Sequence, residues 1–302
     1  MGHSHHGHGH THHNTNNVRV LFFSFLLIFL FMIIEAIGGF LTNSLALISD
    51  AGHMLSDAAA LGLSLVAFKY GERNASRSKT YGYRRFEIIA AFLNGITLIL
   101  ISLYIFYEAY QRFFSPPEVS ASMMLIALAG LIVNVVVAWM MMRGGSQDNL
   151  NIRSALLHVF GDLLGSVGAL AAGILILLFN WNIADPIASV LVSVLIIISG
   201  IRITRDAVHI LMEGKPEHIS IDSMKESLGK LNGVKEVHDL HVWSITSEFP
   251  ALTCHLVVED GIDRDQLLQR ATAEINNSFG ITHCTIQVEG FSGTHGNCDF
   301  CD

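Results

Sequence analysis

Residues 86–113, FEIIAAFLNGITLILISLYIFYEAYQRF, decide the fold class of this chain. This apolar stretch is longer than the roughly 20 residues that a helix needs to cross a bilayer. Five other apolar stretches of sufficient length lie along the sequence, separated by short polar segments. The six stretches are residues 18–42, 45–69, 86–113, 119–142, 150–179 and 185–208. They predict an all-α membrane domain of six helices, which we bound at residues 18–212.

The composition favours a membrane protein and argues against several other classes. Hydrophobic residues make up 51% of the chain and charged residues only 15%, whereas a soluble domain carries about a quarter charged residues. The net charge of −8 argues against a nucleic-acid partner, which would require basic clusters. The chain opens with a polar, histidine-rich segment, which differs from the apolar core of a signal peptide.

Lysine and arginine residues fall almost entirely on one side of the predicted bundle, and Arg112 alone lies at the other side. The residues on the enriched side are Lys69, Arg73, Arg77, Lys79, Arg84, Arg85, Arg143, Arg153, Arg202 and Arg205. Because positive charges concentrate in cytoplasmic segments, we expect both termini to lie in the cytoplasm.

After Met212 the sequence becomes more polar, and residues 213–302 predict a cytoplasmic α+β domain with a C-terminal tail. Ser220 can cap the first helix, and Asp263 with Gln266 resembles a capping box at the second. Alternating apolar residues predict the strands. The predicted elements are a helix at 220–231, strands at 237–245 and 251–258, a helix at 263–278 and a strand at 282–288. This αββαβ order predicts a small sheet with helices on one face.

Two predicted membrane helices carry the same pair of polar residues, His and Asp four positions apart. His53 and Asp57 lie on the second helix, and His158 and Asp162 lie on the fifth. A spacing of four places each pair on one helix face, and two opposed faces provide the four ligands of a tetrahedral Zn²⁺ site. A lone intramembrane histidine can simply join helices by hydrogen bonds. The repeated pair favours a metal site.

These motifs resemble the cation diffusion facilitator family of divalent-metal exporters, and in particular its zinc-exporting branch. The matching segments are SLALISDAGHMLSD at 44–57, YGYRRFE at 81–87, HVFGD at 158–162, DP at 185–186 and VHDLHVW at 237–243. The resemblance implies a homodimer that exports Zn²⁺ from the cytoplasm against H⁺ or K⁺. A histidine at position 53 implies zinc selectivity. Residues 69–85 lack the Asp and His of a further family site, so we do not predict that site.

The resemblance also implies metal sites in the cytoplasmic domain. His238, His255 and Glu289 would contribute to one site, and His283, Cys298 and Cys301 to a second. Independently of the family, the spacing of Cys298 and Cys301 suits zinc, although such a pair can also be idle or redox-active. Strand alternation turns Cys254 and Cys284 away from their histidine neighbours, so we interpret both as core residues. It also predicts that His238 and His241 face opposite ways and that His241, near Trp243, is structural.

Seven of the sixteen histidines fall within the first thirteen residues. We interpret residues 1–17 as a cytoplasmic, metal-gathering tail in preference to an expression tag. Eukaryotic members of the family that the chain resembles often have a long His-rich loop between the fourth and fifth helices. The resemblance therefore implies, from the short link here, a bacterial inner-membrane protein. We expect alternating access, with protons returning on His53 and His158. An enzyme is disfavoured because four ligands leave no open position on zinc, and the intramembrane ligands argue against a pure metal sensor.

Overall fold

A computed structural model of the protein describes residues 11–42, 45–71, 73, 75–114, 121–144, 149–179, 181 and 183–290. The chain divides into two compact units, residues 1–208 and 209–302. Each unit has its own apolar core. The predicted combination of a helical membrane domain and an α+β domain is confirmed.

The first unit consists of long helices. Their bounds are α1 (Thr11–Thr42), α2 (Leu45–Gly71), α3 (Phe86–Phe114), α4 (Ala121–Gly144), α5 (Leu150–Phe179) and α6 (Ala184–Leu211). Helix α1 thus begins inside the segment that the sequence predicts as a tail.

Four helices in the described part of the chain are long and apolar enough to cross a membrane. Their spanning stretches are Val18–Gly38, Phe86–Gln111, Leu150–Ile176 and Pro186–Leu211. Helix α4 contributes a shorter apolar stretch, Leu128–Gly144. In α2, His53 and Asp57 lie between the apolar residues, and this helix is not among the four. The first unit is therefore multi-pass, and the predicted spans of α2 and α4 stay predictions.

Helices α1, α2, α4 and α5 share the core of the first unit, which includes Leu21, Phe68, Val137 and Ile152. Helices α3 and α6 meet at a pair of glycines. A Cβ atom added to Gly200 would lie 3.0 Å from the carbonyl oxygen of Gly95. Because glycine has no side chain, the backbones of two membrane helices can approach each other this closely.

The second unit begins at the end of α6 and contains two short helices and a three-stranded sheet. The elements are α7 (Ile221–Gly229), β1 (Val234–Thr246), β2 (Phe249–Val258), α8 (Arg264–Phe279) and β3 (His283–Gly290). The strand order is β1-β2-β3, with β1 antiparallel and β3 parallel to β2. Because parallel neighbours need a crossover, α8 connects β2 to β3. The predicted αββαβ order is confirmed.

Both helices of this unit start at the predicted caps. The side chain of Ser220 accepts a hydrogen bond from the backbone N–H of Ser223. The carboxylate of Asp263 accepts from the backbone N–H groups of Asp265 and Gln266. These contacts satisfy helical N–H groups that have no partner inside the helix.

The two helices cover one face of the sheet and bury its apolar side chains. Leu252, Cys254 and Leu256 of β2 lie in this core with Leu267 and Ala271 of α8. Cys254 is 1% exposed, and Cys284 packs against the same core. The prediction that both cysteines are core residues is confirmed. The histidines next to them in sequence consequently lie on the face that α7 and α8 leave uncovered.

Candidate metal centres

Two groups of His, Asp and Glu side chains in the described part of the chain have the geometry to hold a metal ion. The first, the transmembrane cluster, consists of Asp57, His158 and Asp162. The second, the cytoplasmic cluster, consists of His238, His255 and Glu289. In each cluster the ligand atoms lie within 4.8 Å of one another.

Helices α2 and α5 build the transmembrane cluster. Asp57 lies on α2, while His158 and Asp162 lie one turn apart on α5, as their spacing predicts. Nε2 of His158 lies 3.1 Å from Oδ1 of Asp57, and both side chains are buried. The two helices therefore meet directly at the polar residues that the sequence singles out.

One atom of this cluster has no hydrogen-bond partner among the described residues. Oδ2 of Asp162 is buried and accepts no hydrogen bond there. Burying a carboxylate oxygen without a hydrogen-bond donor or a cation costs on the order of 1–3 kcal/mol of folding free energy, and more when the group is charged. The donor set of two carboxylates and an imidazole fits a divalent cation. The arrangement can bind such an ion through this oxygen.

The fourth predicted ligand, His53, lies on α2 one turn before Asp57, but its side chain is outside the described residues. The structure thus brings together three of the four predicted transmembrane ligands. The complete set of four stays a prediction.

A second polar contact joins α2 to α5 nearer the Lys- and Arg-rich ends of these helices. Nδ2 of Asn151 donates a hydrogen bond to the carbonyl oxygen of Ser64 at 3.0 Å. Nδ2 of Asn94, on α3, donates to Oγ of the same serine at 3.2 Å. Ser64 follows Asp57 by seven residues, and Asn151 precedes His158 by seven. The α2–α5 contact therefore keeps one antiparallel register over about 10 Å of helix.

Strands β1, β2 and β3 each contribute one residue to the cytoplasmic cluster. His238 pairs with His255 across β1 and β2, and the two rings pack edge to face with centroids 5.1 Å apart. Glu289 of β3 reaches both rings, with Oε1 at 2.9 Å from Nδ1 of His255 and Oε2 at 3.4 Å from Nε2 of His238. Two imidazoles and a carboxylate are suitable ligands for Zn²⁺.

A bulge in β1 changes the expected orientation of the side chains in this strand. His238 pairs with His255 and His241 pairs with Thr253, so two residues of β1 oppose Cys254 alone. The partners His255 and Thr253 lie on one face of β2. The expectation that His238 and His241 face opposite ways is therefore wrong, because strict alternation does not survive an inserted residue.

Sequence reasoning missed Asp239, which lies in this bulge. Its Oδ1 lies 2.7 Å from Nε2 of His241, and its Oδ2 lies 3.5 Å from Nε2 of His255. The backbone φ of Asp239 is +50°, a left-handed conformation that non-glycine residues rarely adopt. Only the Asp itself, a residue type that tolerates this conformation, hints at the bulge in the sequence.

The second predicted cytoplasmic site falls largely outside the described residues, which end at Gly290. Cys298 and Cys301 lie beyond that point. His283 is exposed at the start of β3, where its ring lies 5.9 Å from that of Phe249. His283 is not part of either cluster found in the described residues. This site stays a prediction.

Comparison with known proteins shows similarity over nearly the whole chain. A cadmium, cobalt and zinc/H(+)-K(+) antiporter of Bacillus subtilis is 52% identical over 276 residues, which cover 90% of this chain and 88% of that protein. The zinc transporter ZitB of Escherichia coli is 42% identical, covering 88% and 85% of the two chains. The metal cation efflux system protein CzcD of Cupriavidus metallidurans is 38% identical, covering 86% and 82%.

Two family models match consecutive parts of the sequence. The cation efflux transmembrane domain matches residues 21–212, and the cytoplasmic domain of cation efflux proteins matches residues 216–291. The resemblance drawn from the motifs is thereby confirmed. Most of α1, helices α2–α6, the sheet domain and both clusters lie within these matches, and the chain belongs to the cation efflux family of membrane transporters.

Proposed function

We propose that this protein exports divalent metal ions, with Zn²⁺ as its main substrate, from the cytoplasm in exchange for H⁺ or K⁺. The observation that carries the proposal is the transmembrane cluster of Asp57, His158 and Asp162, in which Asp57 and His158 are buried and Asp162 is partly buried. Ionisable side chains are rare inside membrane helices and mark ion pathways. The names of the relatives, one of which lists cadmium, cobalt and zinc, support divalent metal cations as substrates.

The proposed transport site contains His53, Asp57, His158 and Asp162. Two carboxylates neutralise the charge of one divalent cation, and neutral imidazoles complete a tetrahedral set without adding charge. The bound ion is consequently tolerated in a low-dielectric environment, which an unpaired ion is not. A four-ligand set also leaves no open position on zinc, which supports transport over catalysis.

Metal and protons compete for the same ligand atoms, because imidazole and carboxylate must be deprotonated to bind a metal. His53 and His158 are the proposed proton carriers of the return step, since imidazole exchanges protons near neutral pH. In the proposed cycle the site opens to the cytoplasm to take up Zn²⁺ and to the other side to release it. The cycle also includes an intermediate state in which the site is closed to both sides. The hydrogen bond between Asp57 and His158, which brings the ligands of α2 and α5 together, supports such a state.

The cytoplasmic domain is proposed to bind Zn²⁺ at His238, His255 and Glu289. His283, Cys298 and Cys301 form a second proposed site, and the histidines of residues 1–17 a metal-gathering tail. Further proposals are a homodimer, which the match of residues 216–291 to a dimer-forming domain type supports, and an inner-membrane location with both termini cytoplasmic. We also propose that the chain consists of three parts, which are a tail (1–17), a membrane domain (18–212) and a cytoplasmic domain (213–302).

A vesicle experiment tests the transport function. The purified full-length protein is reconstituted in sealed vesicles, and uptake of ⁶⁵Zn²⁺ is measured with an imposed pH or K⁺ gradient. Asp162→Asn should abolish uptake in a folded protein, because the amide keeps the shape of the carboxylate but removes the charge that offsets the ion. Asn134→Leu is the control, since Asn134 is buried in α4 outside the cluster and its Oδ1 has no described partner. Near-normal uptake by Asp162→Asn would refute the site.

A further inference from the structure

The carboxylate of Asp239 lies between two imidazole rings of the cytoplasmic domain. It contacts Nε2 of His241 at 2.7 Å and faces Nε2 of His255 at 3.5 Å. The side chain of Asp239 is only 22% exposed, whereas His241 is 57% exposed. Asp239 therefore connects the exposed His241 to His255, which belongs to the cytoplasmic cluster, without belonging to that cluster itself.

The two nitrogens of His255 face different carboxylates. If Nδ1 is the metal ligand, the single proton of the neutral ring must lie on Nε2. Nε2 faces Oδ2 of Asp239, and an ionised carboxylate is an acceptor for that proton. Nδ1 is the atom that lies 2.9 Å from Oε1 of Glu289. Asp239 thus faces the nitrogen of His255 that points away from the other proposed ligands.

The backbone places Asp239 on the correct side of the sheet for this contact. In a regular strand, residue 239 would point away from the face that carries His238. The bulge inserts a residue between His238 and His241, and Leu240 packs against the apolar core. With φ at +50°, Asp239 instead directs its carboxylate to the histidine face. A strained, non-glycine backbone conformation at such a place is expected where a side chain has a task.

We propose that Asp239 is a positioning residue of the cytoplasmic metal site, where it fixes the tautomer and ring orientation of His255 while His241 anchors its other oxygen. The proposal rests on the proposed metal site of His238, His255 and Glu289. Histidine ligands of metals commonly donate their second N–H to a carboxylate in this way, and losing that partner costs about 10- to 100-fold in metal affinity.

Metal binding by the purified protein, with its membrane domain and cytoplasmic domain both present, tests this role. The parent for all variants carries Asp162→Asn, Cys298→Ser and Cys301→Ser and lacks residues 2–13, so the other proposed sites contribute less. Zn²⁺ affinity is measured by competition with a chromophoric chelator, and Co²⁺ is used as a spectroscopic probe of ligand geometry. Glu289→Gln removes a proposed ligand. The difference in bound Zn²⁺ between the parent and this variant measures the contribution of the cytoplasmic cluster.

Two substitutions separate the carboxylate from the backbone. Asp239→Asn tolerates the left-handed conformation but has one acceptor oxygen where two are needed. Asp239→Gly keeps the conformation and removes the side chain. Both should weaken Zn²⁺ binding at the Glu289-dependent site by about 10- to 100-fold and shift the Co²⁺ ligand-field bands, with little change in thermal stability. Asp260→Asn, at an exposed position of the same domain, should behave like the parent.

The outcomes distinguish the positioning role from the metal site itself. If Glu289→Gln binds as much Zn²⁺ as the parent, the cytoplasmic site does not exist and the role of Asp239 falls with it. If Glu289→Gln loses the site but both Asp239 variants bind like the parent, the positioning role alone is overturned. Lower affinity with unchanged Co²⁺ bands and lower thermal stability would show that Asp239 only supports the fold, which also overturns the proposal.

Discussion

The side chains of His158 and Asp162 lie one turn apart on the same face of α5, as their spacing of four residues predicts. Because side chains four residues apart share a helix face, the same spacing at His53 and Asp57 is enough to predict a site between the two helices. The spacing cannot predict which atoms come into contact across helices. The pairing of Asp57 with His158 depends on how α2 and α5 dock.

His53→Asp is expected to keep transport and to relax its selectivity toward Cd²⁺. A third carboxylate replaces a nitrogen ligand that Zn²⁺ prefers, and it can bind through one oxygen or two, which suits the larger Cd²⁺. The substitution also removes one of the two proposed proton carriers, and a carboxylate holds its proton only at lower pH than an imidazole, so the pH optimum should move toward acid. The measurement is the ratio of Cd²⁺ to Zn²⁺ uptake at several pH values. An unchanged ratio and pH profile would mean that His53 does not contact the ion.

Cys254 is expected to be inert to thiol reagents in the folded protein. Burial, with a smaller contribution from nearby Cys284, raises the pKa of its thiol to about 12, so almost no thiolate exists at neutral pH. Native labelling by a maleimide at pH 8 should be equal in the parent and in Cys254→Ala, and after denaturation the parent should carry one more labelled thiol than Cys254→Ala. Fewer labelled thiols in native Cys254→Ala would contradict the burial.

The same pKa shift predicts how the stability of the domain depends on pH. Between about pH 9 and 12 the folded thiol keeps a proton that the unfolded chain releases. The unfolded state then binds fewer protons, so this group's contribution to stability is lost as the pH rises through that window.

At the scale of elements, the local signals of the sequence were sufficient to predict the helices and the order of the strands in the cytoplasmic domain. Ser220 and Asp263 cap the helices as predicted, because a cap depends only on neighbours within three residues. The alternating pattern predicted the strands but not the bulge at Asp239. A bulge is defined by the pairing of two strands, and a strand's own pattern of apolar residues does not contain its register.

The crossing of α3 and α6 provides a prediction at this scale. Gly200→Ala would place a Cβ 2.9 Å from Cγ1 of Ile99 and 3.0 Å from the carbonyl oxygen of Gly95, so the helices must separate. We expect a loss of about 1–3 kcal/mol in stability, measured as a lower Tm in detergent, with reduced uptake of Zn²⁺. Gly168→Ala is the matched control, because its Cβ would meet Ala188 and Val192 at an ordinary 3.6 Å. Equal Tm values for both variants would contradict the close crossing.

At the scale of the whole molecule, the change in composition after Met212 predicted a second domain, and two family models match on either side of it. Composition can indicate such a change because membrane and water select different residues. It cannot predict the packing of six similar apolar helices, since many arrangements bury comparable surfaces. Polar contacts such as those of Ser64 and Asn151 are specific, and they are too sparse in the sequence to be paired by inspection.

The C-terminal tail should tune transport without carrying it. Cys298→Ser together with Cys301→Ser is expected to weaken Zn²⁺ uptake but not to eliminate it, because both residues belong to the C-terminal tail and are far in sequence from the predicted membrane helices. Uptake is measured over a range of Zn²⁺ concentrations, with Asp162→Asn as the inactive reference. Complete loss of uptake in a well-folded double variant would assign the tail an essential role.

The two polar contacts between α2 and α5 have a mechanical consequence. One contact between two helices lets them rotate about it, but two contacts about 10 Å apart also fix the angle between the helix axes. A sliding motion of α2 along α5 would have to break both hydrogen bonds at once. We therefore expect α2 and α5 to move as one rigid body while both contacts are made, with the surrounding helices rotating around this pair to expose first one end of the site and then the other.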